Sequence, residues 1–183
     1  VYITVPMMKV HSPGITVALK NQIGLAPSTM YGFSKNAGVP QDDYLHRLHT
    51  PQMPKEWLAK EIADLSNIAN IQFVVVDAIM CLDLQKGLMG GNANQVRMNT
   101  IVASADPVAA DHVCSRLMGI NPDDIEHITL AERTGLGTND PDGIHIYGAD
   151  LELTKKRFRK TSARQSFGQS NRTWLLCGPF FFS

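Results

Sequence analysis

At 183 residues the chain is the size of one domain, or of one domain with a tail, and its 44% hydrophobic and 19% charged content is that of a globular protein with a core. Its 17 basic and 17 acidic residues cancel, so no overall field recruits nucleic acid or an anionic membrane surface. The three cysteines, Cys81, Cys114 and Cys177, are widely spaced and contain no C-x-x-C, which speaks against a disulfide scaffold and against a zinc or iron–sulfur ligand set.

The opening VYITVPMMKV reads as a strand, with Val1, Ile3, Val5 and Met7 on one parity and Pro6 marking an edge or a break. If the extended conformation continues, Lys9 and His11 share that parity and project from one face where the strand ends. Ser12-Pro13-Gly14 is a turn cluster, and ITVALKNQI (15–23) predicts a short helix stopped by Gly24. Residues 25–54 lose all pattern and carry Tyr31, Phe33, Tyr44, His46 and His49; loops this long are functional or mobile. A helix follows at 54–68, its stripe built from Trp57, Leu58, Ile62, Leu65 and Ile68, with Glu61 intruding.

IQFVVVDAI (71–79) predicts a buried strand with Asp77 at its carboxyl end, followed by a glycine-rich segment with Gly87, Gly90 and Gly91. The clearest unit is 99–119. A strand at 99–103 leads to Asp106 as helix cap, Pro107 as first helical residue and Gly119 as stop. On that helix Ala109, Ala110, Val113, Cys114 and Leu117 share one arc, while Asp111, His112, Ser115 and Arg116 face a solvated side. A further helix at 122–134, a turn-rich loop at 135–143 and a short strand at 144–147 complete a single α/β domain over 1–150. Its sheet is expected to be mixed and mostly parallel, with helices on its faces. Residues 151–183 read as a basic and then apolar tail. No apolar run approaches the ~20 residues of a membrane span and no signal-peptide pattern opens the chain, so a cytoplasmic protein is the default. The chain lacks an initiator Met and enters directly in a strand, as a piece of a longer protein would.

Asp77 is the most informative position, because open α/β sheets bind ligands at the carboxyl ends of their strands. Gly90 and Gly91 would admit a ligand close to the backbone, although 87–91 lacks the G-K-[ST] of a phosphate loop. Lys9 and His11 offer a cation and an imidazole suited to anion binding, proton transfer or a divalent metal, and Lys20 and Asn21 join them if the chain folds back. Asp106 reads as a structural cap first and a cofactor contact second. Asp111 reads as solvated, and His46 and His49 lack the acid that a metal pair needs.

Three segments together, VPMMKVHSPGITVALKNQIG, VVVDAI and VRMNTIVASADPVAADHVCSRLMGINPDDIEHITLAERTGLG, resemble the domain of unknown function 362 family in order and spacing over most of 5–150. The resemblance implies recurrent polar positions at Lys9, His11, Lys20, Asn21, Asp77, Asp106 and Asp111, an upstream portion missing here, and an association with ferredoxin-like iron–sulfur proteins. It supplies no reaction, and the iron–sulfur cysteines of many members are absent from this chain. Two readings follow. One is a small-molecule enzyme, redox-associated and acting on an anionic or metal-bound substrate, with Lys9, His11, Lys20 and Asp77 as its catalytic group. The other is a non-catalytic binding or accessory module that receives a cofactor or partner supplied by an iron–sulfur protein, with the 25–54 loop as its interaction surface; under either reading a homo-oligomer is a further candidate partner.

Overall fold

The computed structural model describes residues 1–10, 14–27, 55–84 and 93–158. At the centre lies β4 (Phe73–Leu84), whose sequence FVVVDAIMCLDL stays apolar past the expected end at Ile79. Along one edge of it run β1 (Ile3–Thr4) and β2 (Met7–Val10), both parallel to it, with Ile3 opposite Phe73 and Val10 opposite Asp83. Pro6 separates the two because it has no N–H for the ladder. Its carbonyl still accepts the Asp77 N–H at 2.8 Å. β3 (Ile15–Thr16) folds back antiparallel on β2. The other edge of β4 carries β5 (Ala93–Ser104), antiparallel from Val74–Ser104 to Leu84–Ala93.

The register of this long ladder slips once, between Ala78–Thr100 and Met80–Arg97. Two residues of β5, Met98 and Asn99, there stand opposite Ile79 alone. Asn99 has φ +51°, the left-handed conformation that a bulge residue adopts.

The helices are α1 (Ala18–Asn21), running on into a 3-10 turn at Gln22–Leu25, then α2 (Lys55–Ala69), α3 (Pro107–Leu117), a 3-10 turn at Pro122–Asp124, α4 (Glu126–Arg133) and α5 (Leu151–Thr154). The fold is α/β with a mixed sheet. Several local expectations change. The helix expected over 15–23 begins as β3, and the one expected over 122–134 breaks at Ile125, whose φ −104° and ψ 97° are not helical. Residues 144–147 form no strand. Leu151 and Phe158 belong to the core, so the packed unit continues beyond Asp150. No helix among the described residues is long and apolar enough to cross a membrane.

One face of the sheet carries the core. Met8, Val10, Val76, Ala78 and Cys81 project into it and meet Ile62 of α2, Val108 and Cys114 of α3 and Ile128 of α4. Burial pushes the Cys81 thiol up to about 11 and the Cys114 thiol well above its ordinary range, so both are inert small hydrophobes.

The buried stripe of α2 is Ala59, Ile62, Ala63, Leu65 and Ser66, rotated from expectation, and Ile68 is 78% exposed. Ser66 explains the rotation, since its hydroxyl donates to Leu19 O at 3.2 Å or Ile62 O at 2.7 Å and so ties α2 to α1. Glu61 borders this stripe with Oε1 buried and unpartnered, and burial raises its carboxyl to about 7. A raised carboxyl favours folding below its unfolded value near 4.5, and that contribution is lost as pH climbs through 7. Glu61→Gln is therefore expected to stabilise the protein at pH 8 by about 1–2 kcal/mol, after discounting for partial solvent access, and to change little at pH 4. Urea melts at the two pH values check this, and an equal effect at both would show that Glu61 is not held neutral.

Candidate functional site

The unit that builds the site is the β5–α3 junction. Asp106 caps α3, its Oδ1 accepting the Val108 and Ala109 N–H groups at 2.8 Å each, with Pro107 in the first turn. Its Oδ2 accepts the Thr138 N–H at 2.9 Å. Both oxygens are thus committed to backbone, and Asp106 acts here as a clamp between α3 and the 135–139 loop.

One turn further on, the structure overturns the expectation for Asp111. It is fully buried, because the polar arc of α3 is covered by α1 and α4 rather than by water. Oδ1 accepts the N–H groups of Ala18 at 2.8 Å and of Leu19 at 3.3 Å, so a side chain 93 positions away satisfies the first turn of α1. Oδ2 lies 3.7 Å from His127 Nε2 of α4, and neither atom has a hydrogen-bond partner. Burial raises the Asp111 carboxyl, and His127 and the two N–H groups only partly offset this. Gly14 lies over the imidazole, where a Cβ would be 4.0 Å from His127 Cε1.

From the turn that Asp111 fixes comes Lys20, only 9% exposed. Burial first, and then the charge of Lys9 on β2, lower its ammonium to about 8. Lys9 and Lys20 are thus within each other's electrostatic reach at the carboxyl end of β2. The described part of the site is a two-lysine pair beside a buried carboxylate–imidazole dyad.

The sequence of the chain matches the family model described as domain of unknown function (DUF362) over residues 1–116. The chain belongs to the DUF362 family. The match spans Lys9, Lys20, Asp77, Asp106 and Asp111 and ends inside α3, so His127 lies beyond it. No curated protein and no solved structure matches this DUF362 chain.

Of the other candidates, His11, Gly90 and Gly91 lie outside the described residues, as do His46 and His49, which the sequence spoke against as a metal pair, and most of the 25–54 loop. Asp77 is not at a strand end. It is the fifth of the 12 residues of β4, exposed on the face away from the helices, and Oδ1 accepts the Ile79 N–H at 2.9 Å beside the bulge. It stands opposite Met7, whereas Lys9 stands opposite Leu82 past the irregularity, and it shares no hydrogen bond or ion pair with Lys9. Asn21 donates to Thr4 Oγ1 at 3.0 Å, a contact that ties α1 to β1. Among the described residues no group of three or more His, Cys, Asp or Glu side chains is placed to hold a metal ion.

Sequence reasoning passed over His127, His112 and Asn139. His112, next to Asp111 on α3, places Nδ1 2.9 Å from Asn139 Oδ1, while Asn139 Nδ2 donates to Asp123 at 2.9 Å. Because Asn139 spends its N–H₂ group on Asp123, its Oδ1 is left to accept, which puts the His112 proton on Nδ1. His112 borders a cavity of about 550 Å³ with Arg116, Asp123 and Lys155. One signal for His127 was present. It shares the inward face of α4 with Ile128 and Ala131, and a histidine on an apolar face needs a buried partner.

Proposed function

We propose that this DUF362 protein is an enzyme for a small anionic molecule, bound where β2 ends. Lys9 and Lys20 supply the positive charge, and Lys20 exchanges a proton with the ligand. The observation behind this reading is Lys20 itself. A lysine placed under cover beside a second lysine is costly to a fold, and such pairs serve sites that take an anion or use a neutral amine. With an ammonium near 8, roughly a tenth of the lysine is uncharged at pH 7, enough for acid–base work without loss of anion attraction. Asp111 positions Lys20 by holding the first turn of α1. His127 stands against that carboxyl, with Nε2 3.7 Å from Oδ2. Asp77, in mid-strand and bound to the Ile79 N–H, shares no hydrogen bond or ion pair with Lys9 and has no part in this group.

The first test is the titration of the Lys20 ammonium, followed by NMR of the labelled chain. A value near 8 is expected, rising by several tenths of a unit in Lys9→Met as the neighbouring charge is removed, with burial keeping it below 10. In parallel, a thermal-shift screen with inorganic phosphate, phosphate monoesters and small carboxylates should find a stabilising ligand. At one hundred times Kd such a ligand adds about 2.7 kcal/mol, and the shift should vanish in Lys20→Met. An ordinary lysine titration, or shifts that persist in Lys20→Met, would sink the reading.

A further inference from the structure

The face of the sheet turned away from the helices is apolar. Ile3, Val5, Met7, Phe73, Ile79 and Ile101 all lie on it, each between 38% and 66% exposed. The register makes them one patch. Ile3 sits beside Phe73, and Met7, Asp77 and Ile101 form a single row across β2, β4 and β5. The parity shared by Val1, Ile3, Val5 and Met7 is the outward one, and Thr4, Pro6, Met8 and Val10 face the helices. All-parallel sheets are covered on both faces, and β1 and β2 run parallel to β4 in this mixed one.

We propose that a second copy of this chain covers the face, as an isologous dimer related by a two-fold axis. The first argument is area. The six side chains expose roughly 600 Å² together, most of the ~800 Å² per partner of a standard interface and at the upper limit of what a monomer shows to water. The second is charge. The patch carries Asp77 near its centre and Arg97 further along β5, exposed on the same parity, opposite Met80. Asp77 Oδ2 accepts no hydrogen bond and the Arg97 guanidinium makes no ion pair among the described residues. A two-fold axis passing between them sets each Asp77 against the partner's Arg97 and lays the apolar rows on one another. The Asp77 carboxylate and the Arg97 guanidinium thereby make the face complementary to itself, while the half-buried Lys9 lies beyond Met7 at its β2 edge.

Sedimentation equilibrium of the full chain tests this. The expected mass is twice the 20.1 kDa of the chain. Ile101→Asp and Asp77→Arg should each raise the dimer dissociation constant at least tenfold while retaining the helical circular dichroism and a cooperative melt. The double variant Asp77→Arg, Arg97→Asp should recover most of the loss, since it restores opposite charges across the axis. Ile101 and Asp77 are outward-facing, so neither substitution disturbs the core, and Phe73→Ser provides a second probe if Ile101→Asp does not fold. A monomer at all concentrations overturns the proposal. Hydrogen exchange then shows whether other residues of this chain protect the strands or whether the face is left for a different partner. A dimer indifferent to all three positions overturns it as well.

Discussion

Asp111→Ala is expected to destabilise the protein by about 3–4 kcal/mol, whereas Asp111→Asn should cost about 1 kcal/mol or less at pH 7. The alanine removes the acceptor for two N–H groups of α1 in a place with no water to replace it, and leaves His127 facing a void. Asparagine keeps Oδ1 as the acceptor and places an N–H₂ group toward His127 Nε2, which a neutral imidazole can accept. The contrast depends on the carboxyl being held protonated by its surroundings. A carboxyl whose folded pKa is raised favours the fold below its unfolded value, about pH 4, and that contribution is lost as pH rises through the folded value. The parent should therefore lose stability between pH 4 and neutral relative to Asp111→Asn, whose curve should be flatter. Chemical melts of the three proteins across that window measure it. If asparagine proves as damaging as alanine, the carboxylate is ionised and its charge, rather than its shape, holds α1.

How much of this was legible depended on whether the partner of a residue lay nearby in sequence. Asp106, Pro107 and the stop at Gly119, with φ +70°, were readable because a cap, a first-turn proline and a left-handed glycine act within one turn of chain. Lys9 and Lys20 were legible as candidates through position and resemblance, but the burial that lowers the Lys20 ammonium, and the nearness of Lys9 that adds to it, come only once the chain turns back from β2 through β3. Asp111 and His112 fell on a polar arc that looked solvated, and only the docking of α1, α4 and the 135–141 loop buries them. Helical periodicity reports two kinds of residue, not two kinds of surroundings, and α3 is buried on almost every side. Asp77 was misplaced for a related reason. An acidic residue among valines reads as the end of a strand, yet Met80-Cys81-Leu82 carry the strand on, and the exposed outer face tolerates the carboxylate. At Ile3, Val5 and Met7 the shared parity was legible, but alternation identifies two faces and cannot say which one the helices take.

Gly137→Ala is expected to be the most damaging single-methyl substitution in the described structure, at about 2–4 kcal/mol. A Cβ there would lie 2.0 Å from Asp106 Oδ1 and 2.6 Å from its Cγ, well inside contact distance. An aspartate side chain can ordinarily swing away, but this one is held by three N–H groups, those of Val108, Ala109 and Thr138. Relief of the clash means losing the cap of α3, worth about 1–2 kcal/mol, together with the hydrogen bond that ties down the loop, worth about 1 kcal/mol. The strain thus lies in the pair rather than in the glycine backbone. A double-mutant cycle separates the two. In an Asp106→Ala background the three atoms nearest the methyl group are gone, so Gly137→Ala should then cost well under 1 kcal/mol, a coupling of at least about 1.5 kcal/mol. Additive losses would mean that the loop makes room by another route. The consequence reaches past stability, because the same loop presents Asn139, which fixes the His112 tautomer and is itself held by Glu132 through its N–H at 2.7 Å. Displacing the clamp should therefore change the ring-nitrogen NMR signals of His112 at temperatures where the variant is still folded, while the His127 signals, set by Asp111 from the far side of α3, stay in place.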